Sequence, residues 1–383
     1  MTSYGINLIT LIDLWRFRAR CSRRAMNRPQ IVCRAMRRGL HRTYATGLLL
    51  IATFTLIVAV QSFSAAAADR LWLTGVNFAG AEFGNNRIPG KINKDYHYPK
   101  ERDIKYFLDR GFTAFRLPFR WERLQRNLGW EFEARELALL DGTVTYITDN
   151  GAHVILDPHN YARYFGKDIG SKQVPVSAFA SFWAELADHY KSNPRVIFGL
   201  MNEPHRIHAE EWRNAAEAAI DAIRATGAQN LILVPGTYWS GAHSWTKKRG
   251  TISNAAALQD LTDPADNMAF EVHQYFDDNY SGSSSRCQSE TIGRKTLEKF
   301  TQWLRENKHR GFLGEFGAAD NAVCLEALDQ MMQYIAENSD VWIGWTYWAA
   351  GAWWGDYRFS VHPTPDGDRP QMKILTKYRD RQR

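Results

Sequence analysis

The chain of 383 residues lacks the short motifs that mark several large classes of protein. No GxGxxG or GxxxxGK(S/T) stretch is present, which excludes the glycine-rich phosphate turns of dinucleotide-binding and P-loop proteins. There is no HExxH and no close set of histidine and cysteine. His205 and His208 form an i, i+3 pair that could bind a metal, but their place at a helix start favours solvated histidines. We therefore expect no metal and no other cofactor.

Gly/Ser/Pro-rich linkers, internal repeats and low-complexity stretches are also absent. The excess of basic over acidic residues is confined to one end of the chain. The residues before Asp69 contain ten arginines, no lysine and one acid, Asp13, which gives a net charge of +9. Because the whole chain carries +7, the remaining 315 residues carry −2. Such a nearly neutral body has no broad positive surface for a polyanion, so the composition argues against nucleic-acid binding.

The arginine-rich end has the order of features found in a secretory signal peptide. An apolar run, Gly47–Val60, follows Arg42 and precedes the small residues Ser64–Ala68. The alternative is an uncleaved membrane anchor, because the run could extend to Ala68, although about 14 apolar residues are few for a span.

The leader is longer than a signal peptide needs. Met36 would open a leader of ordinary length, so Met36 or Met26 is a candidate for the true start. We expect residues 1–68 to be a leader and residues 69–383 to be one catalytic domain. After cleavage this domain would be a secreted or periplasmic monomer without membrane contact.

Cysteine is scarce. Two of the four cysteines, Cys21 and Cys33, fall in the leader, so Cys287 and Cys324 are the pair left in the mature chain. In an oxidising compartment they would form a disulfide; the alternative is two buried free thiols.

Eight apolar, β-prone segments alternate with helical patterns along the body of the chain. The predicted strands are Trp72–Phe78, Phe112–Phe119, His153–Pro158, Val196–Met201, Leu231–Pro235, Met268–His273, Phe312–Phe316 and Trp342–Trp348. The predicted helices are Lys100–Arg110, Arg135–Asn150, Val176–Lys191, Ala209–Thr226, Arg294–Lys308, Cys324–Asn338 and Gln371–Arg381, with a weaker one at Ser253–Gln259. Eight such units predict an α/β fold, a single (β/α)8 TIM barrel.

Polar residues stand at or near the ends of the predicted strands, where barrel enzymes carry their chemistry. They are Asn77, Arg116, His159, Asn160, Asn202, Glu203, His273, Tyr275, Glu315 and Trp348. Each residue alone has a structural explanation, such as a paired barrel charge or core packing. Their occurrence at successive strand ends indicates a functional site.

Glu203 and Glu315 each close a short apolar run, and a carboxylate there is costly unless a site uses it. Two carboxyl groups facing each other across a barrel mouth suit glycoside hydrolysis. One donates a proton and the other attacks the anomeric carbon; a separation of about 5 Å gives retention. Arg116 and Tyr275 would hold Glu315 ionised, and desolvation and the charge of Glu315 would keep Glu203 protonated.

Six motifs in order resemble glycoside hydrolase family 5, the cellulase family. They are FRLPF at Phe115–Phe119, DPHN at Asp157–Asn160, NEP at Asn202–Pro204, VHQY at Val272–Tyr275, GEFG at Gly314–Gly317 and YWAAG at Tyr347–Gly351. Gly75–Gly84 and Ala352–Tyr357 resemble its endoglucanase subfamily 5. The likeness runs from about Leu71 to Pro363.

The resemblance implies a role for each residue. Glu203 would be the general acid/base and Glu315 the nucleophile, which Arg116 and Tyr275 would position. The others would contact the cleaved sugar. Asn202 would bind the 2-hydroxyl of the sugar, His159 and His273 would form a polar shell around it, and Trp348 would be a platform beneath it.

Tryptophan is frequent, with 14 residues. We expect Trp239, Trp245, Trp353 and Trp354, in loops after strands, either to stack on sugar rings or simply to pack the loops. Together with the loop Glu82–Tyr98 they would border an open groove. The predicted function is a retaining endo-β-1,4-glucanase acting on a β-glucan polysaccharide or oligosaccharide. The alternatives are an endo-β-mannanase or xyloglucanase on the same scaffold, and a non-catalytic polysaccharide-binding barrel.

Overall fold

The computed structural model describes residues 73–379. Eight parallel strands form a closed barrel: β1 (Leu73–Phe78), β2 (Ala114–Phe119), β3 (His153–Pro158), β6 (Val196–Gly199), β7 (Ile232–Pro235), β8 (Met268–His273), β9 (Gly311–Glu315) and β10 (Trp342–Ala350). Their order around the barrel is β1-β10-β9-β8-β7-β6-β3-β2. The predicted (β/α)8 fold is confirmed, with every predicted strand in place to within a few residues.

Helices alternate with the strands and cover the barrel. They are α1 (Glu101–Leu108), α2 (Trp121–Leu124), α3 (Ala134–Asp149), α4 (Val176–Tyr190), α5 (Ala209–Ala225), α6 (Asn254–Leu258), α7 (Ile292–Asn307), α8 (Ala322–Glu337) and α9 (Pro370–Lys377). Three small features were not predicted: helix α2, a 3-10 helix at Ala242–Ser244, and a hairpin of β4 (Arg163–Tyr164) and β5 (Lys167–Asp168). All three follow barrel strands, and they are too short to leave a periodic signal.

Apolar side chains from every barrel strand fill one end of the barrel. This cluster contains Leu73, Ala114, Ile155, Ile197, Leu231, Leu233, Ala269, Phe312 and Ile343. Because side chains alternate between the two faces of a strand, residues two and four positions further along also point inward. On β2, β3 and β8 those next inward residues are Arg116, Asp157 and Glu271, all buried. The pleat therefore stacks a charged layer on the apolar one, towards the carboxyl ends of the strands.

A disulfide joins Cys287 to Cys324, whose Cα atoms are 5.4 Å apart, so the predicted pairing is confirmed. It ties the segment after β8 to the first turn of α8. Within residues 73–379, no helix has the length and apolar character needed to cross a membrane. The predicted signal peptide lies outside the described residues.

Candidate active site

Arg116 is the centre of the charged layer. Its guanidinium forms ion pairs with Asp157 and Glu271, each at 3.0 Å, and lies 3.6 Å from Glu315. It also donates to the Oδ1 atoms of Asn77 and Asn202 at 2.9 Å. Burial alone would lower the pKa of Arg116, but the surrounding carboxylates outweigh burial and raise it. Arg116 is therefore a permanent buried cation that holds several acids in place.

Gly314 makes room for one of these acids. A methyl group at this position would lie 2.0 Å from Oε1 of Glu271, inside any possible contact distance. Burial acts to raise the pKa of Glu271, but Arg116 and His273 outweigh it and hold the pKa below its usual value. The glycine next to Glu315 thus allows a buried carboxylate to sit directly beneath the site.

Asn202 and His159 are oriented by a chain of hydrogen bonds. Nδ1 of His159 lies 2.8 Å from Asp157 and donates to it, which leaves Nε2 as an acceptor for the amide of Asn202 at 3.1 Å. Burial, reinforced by Arg116, lowers the pKa of His159 well below its usual value, so the ring is neutral. Because Oδ1 of Asn202 accepts from Arg116, its amide cannot flip and one N–H remains for a ligand.

Glu203 follows Asn202 in a left-handed backbone conformation, with φ of 42°. A non-glycine residue in this region costs about 1–3 kcal/mol, and such positions concentrate at functional sites. Asn202 holds the turn: its N–H donates to Pro158 and its carbonyl accepts from Tyr161, both at 3.0 Å. The turn aims the carboxyl of Glu203 at His273, whose Nδ1 lies 2.9 Å from Oε1.

Glu315 ends β9 and faces the same histidine. The hydroxyl of Tyr275 donates to its Oε1 at 2.6 Å, and Oε2 lies 3.7 Å from Nδ1 of His273. One carboxylate oxygen each from Glu203 and Glu315 and a ring nitrogen of His273 all lie within 4.8 Å of one another. The two carboxyl groups therefore face each other at the same end of the barrel.

The charge states of His273 and Glu315 follow from burial and mutual attraction. Burial alone would lower the pKa of His273, but Glu315, Glu203 and Glu271 raise it to about 10, so it is an imidazolium at neutral pH. Burial raises the pKa of Glu315 to about 7; the charge of Glu203 adds to this, whereas His273, Arg116 and Tyr275 oppose it. Arg116 and Tyr275 contact Glu315 as expected, but burial outweighs them in the free protein.

Glu203, His273 and Glu315 also form the one group of three or more potential metal ligands within residues 73–379. Their polar atoms are already engaged with each other, with Tyr275 and with Arg116. This arrangement suits proton transfer and ion pairing among these side chains.

Two clefts meet at this centre. One, of about 520 Å³, is lined by Glu203, His273 and Tyr275 together with Tyr238, Trp239 and Tyr280. The other, of about 320 Å³, is lined by Glu82, Phe83, Asn85, Arg120, His159 and Trp348. Tyr161 lines both clefts, so they form one groove across the carboxyl-end face of the barrel.

Comparison with known proteins identifies the family. The family described as Cellulase (glycosyl hydrolase family 5) matches residues 76–351. The chain belongs to glycosyl hydrolase family 5.

Relatives within family 5 match most of the chain. It is 43% identical over 294 residues to endo-beta-1,4-glucanase B of Aspergillus niger, covering 76% of this chain and 85% of the relative. The structure of XacCel5A in complex with cellopentaose is 52% identical, with a TM-score of 0.79, covering 81% of this chain and 100% of that one. The Pseudomonas stutzeri endoglucanase Cel5A in complex with cellobiose is 37% identical, with a TM-score of 0.75, covering 81% and 93%.

The aromatic residues singled out in this family 5 chain fall into two groups. Trp239 is 51% exposed and lines the larger cleft. Trp353 is 43% exposed and lies against the ring of His97, with centroids 4.3 Å apart. Trp354 is packed edge-on against Trp348, with ring centroids 5.9 Å apart. Trp245 is fully buried among aromatic rings of the barrel and its helices, which favours packing, one of the two alternatives expected for it.

Of the remaining predicted residues, two border the groove and one does not. Trp348 stacks on His159 with centroids 5.5 Å apart, and both border the smaller cleft. Asn160 is buried away from the groove: its amide donates to Glu122 at 2.6 Å and its Oδ1 accepts from Trp121. Asn160 thus supports the neighbouring loop. The chemical roles assigned to these residues remain predictions.

Sequence reasoning missed Glu271, Asp157 and Glu82 as members of the site. The signal for Glu271 was present, because a glutamate interrupts the apolar strand Met268–His273 two positions before a predicted histidine. Asp157 stood inside a family motif but was given no role. Glu82 stood in the motif Gly75–Gly84 and opened the loop predicted to border the groove, but it was given no role of its own.

Proposed function

We propose that this protein is a retaining endo-β-1,4-glucanase that cleaves internal bonds of a β-glucan. The single observation that carries the proposal is the short distance, within 4.8 Å, between a carboxylate oxygen of Glu203 and one of Glu315. Retaining enzymes hold these groups about 5–5.5 Å apart, whereas inverting enzymes need about 6.5–9.5 Å to admit a water. An open groove on both sides of the pair supports attack within a long chain.

The reaction proceeds by two displacements. Glu315, as the anion, attacks the anomeric carbon while Glu203 gives its proton to the departing glycosidic oxygen, which leaves a glycosyl ester on Glu315. Glu203, now a carboxylate, takes a proton from water, and the hydroxide oxygen displaces Glu315 from the same carbon. Trp348 supports the ring of the cleaved sugar, and the free N–H of Asn202 donates to its 2-hydroxyl.

The test is reducing-sugar release from carboxymethylcellulose, barley glucan, mannan and xyloglucan. We expect the highest turnover on the two β-glucans and loss of turnover in Glu203→Gln and Glu315→Ala. Arg213→Met, which breaks a surface ion pair with Glu217, is the matched control and keeps activity. Highest turnover on mannan or xyloglucan would overturn the substrate, and no release from any polymer would favour a binding barrel.

We also propose that residues 1–68 are an export leader and that residues 69–383 form the catalytic domain, a secreted or periplasmic monomer. The arginine-rich stretch before Gly47–Val60 supports this, as does the disulfide between Cys287 and Cys324, because disulfides persist in oxidising compartments. N-terminal sequencing of the exported protein tests it, with a mature end near Asp69 expected.

A further inference from the structure

Glu82 is a buried acid in the wall of the smaller cleft, and the catalytic scheme does not use it. It lies four residues after Phe78, the last residue of β1, and is 7% exposed. Its Oε2 accepts the backbone N–H of Gly80 at 2.6 Å. Its Oε1 has no hydrogen-bond partner among the described residues, although it is shielded from solvent. A buried oxygen without a partner has lost its hydration without gaining a hydrogen bond, and a ligand could supply that bond.

The cleft beside Glu82 lies on the glycone side of the scissile bond. The acid/base Glu203 protonates the leaving oxygen and lines the larger cleft, so the leaving chain occupies that side. Trp348, the platform for the cleaved sugar, lines the smaller cleft together with Glu82. The next sugar towards the non-reducing end therefore enters the space that Glu82 borders.

Burial controls the charge of Glu82. It raises the pKa of Glu82 to about 8; the bonds to backbone N–H groups and the charge of Arg120 oppose this, and Asp157 adds to it. The carboxyl is therefore neutral at pH 7 and offers an O–H donor. A neutral acid of this kind can donate to a sugar hydroxyl oxygen, whereas the carboxylate can only accept.

We propose that Glu82 is a substrate-binding residue whose Oε1, unpartnered among the described residues, donates a hydrogen bond to a hydroxyl oxygen of the glucosyl unit adjoining the cleaved unit on its non-reducing side. The proposal rests on the proposed glucanase function. It makes Glu82 a determinant of binding for substrates with at least two glucosyl units before the scissile bond.

Other ionisable groups face Glu82 from the surrounding segments. They are His97, Arg120, Asp157, His159 and Tyr161. Burial lowers the pKa of His97 and His159 and raises that of Tyr161, so these three keep one charge state between pH 7 and 9. Asp157, whose pKa burial raises to about 7, is the neighbour that the experiment must separate from Glu82.

The experiment measures kcat/KM between pH 7 and 9 for 4-nitrophenyl β-cellobioside and 4-nitrophenyl β-glucoside. The cellobioside reaches Glu82 and the glucoside stops at Trp348, so their ratio cancels the titration of Asp157, Glu315 and His273. With a pKa of about 8 for Glu82, the ratio falls about tenfold from pH 7 to pH 9 in the wild type. A ratio that stays constant or rises would overturn the proposal, and this measurement needs no variant.

Glu82→Gln supplies a donor that does not titrate, so its ratio stays constant over the same range and exceeds that of the wild type at pH 9. Glu185→Gln is the matched control, because burial also raises the pKa of Glu185, which lines neither cleft. This variant keeps the tenfold fall. A fall in Glu82→Gln equal to that of the wild type would assign the titration to a group other than Glu82 and overturn the proposal.

The two proposals fail differently. If the wild type cleaves neither aryl glycoside nor any polymer, the proposed glucanase function fails. If it cleaves β-glucan but the ratio does not change with pH, only the role of Glu82 fails.

Discussion

Arg116 offers the sharpest test of how the charged layer is held together. Its side chain is fully buried and contacts three acids, Asp157, Glu271 and Glu315, within 3.6 Å. Removing one partner of a buried ion pair costs about 3–5 kcal/mol, because the remaining charges are left without compensation. We therefore expect Arg116→Met to lower the free energy of unfolding by about that amount at pH 8 and to abolish activity.

The loss of unfolding free energy in Arg116→Met should become smaller as the pH falls. Burial raises the pKa values of Asp157 and Glu315 to about 7, so at pH 5 both are protonated and need no cation. The loss in Arg116→Met is therefore smaller at pH 5 than at pH 8 when both are measured by urea unfolding.

Arg116→Lys separates charge from shape. Lysine keeps the charge but cannot reproduce the fork that reaches two asparagines and the acids together, so we expect intermediate stability and low kcat. Arg213→Met, at a surface pair, should cost under about 1 kcal/mol at either pH. Wild-type stability in Arg116→Met at pH 8, or a penalty equal at both pH values, would refute the reasoning.

Three further predictions concern other parts of the molecule. Burial alone would lower the pKa of His273, but the neighbouring acids raise it to about 10. The imidazolium therefore contributes stability that is present below about pH 6.5 and lost as pH rises through 10. His273→Gln should flatten this decline in the urea midpoint, and an unchanged dependence of the midpoint on pH would contradict the prediction. Cys287→Ser should lower the free energy of unfolding by about 4 kcal/mol, as expected for a disulfide between residues 37 positions apart. A loss below about 1 kcal/mol by calorimetry would contradict this. Trp239→Ala should raise KM for long β-glucan chains by up to about tenfold and leave kcat on 4-nitrophenyl β-cellobioside unchanged, because stacking contributes about 0.5–1.5 kcal/mol; equal losses on both substrates would argue against a leaving-side platform.

The barrel was predictable because parallel strands buried on both faces read as apolar runs. Val196–Gly199 and Ile232–Pro235 are short, but their apolar character and the helices that follow mark them. The catalytic pair was predictable for the opposite reason: Glu203 and Glu315 interrupt that apolar pattern, and the resemblance to family 5 names their neighbours.

The rest depends on three-dimensional packing that no linear pattern records. The burial that raises the pKa of Glu315 comes from all sides of the barrel mouth. The exposure of Trp239 and the burial of Trp245, six residues apart in one loop region, depend on how that loop folds back on the barrel. Glu82 gains its environment from segments far along the chain, such as those that carry Arg120 and Trp348.

The most direct test of the central claim is the stereochemistry of the first product. Proton NMR recorded within minutes of adding enzyme to cellopentaose resolves the α and β anomers before mutarotation. Retention by Glu315 and Glu203 predicts that the β anomer appears first. The α anomer appearing first would mean direct attack by water and would contradict the account.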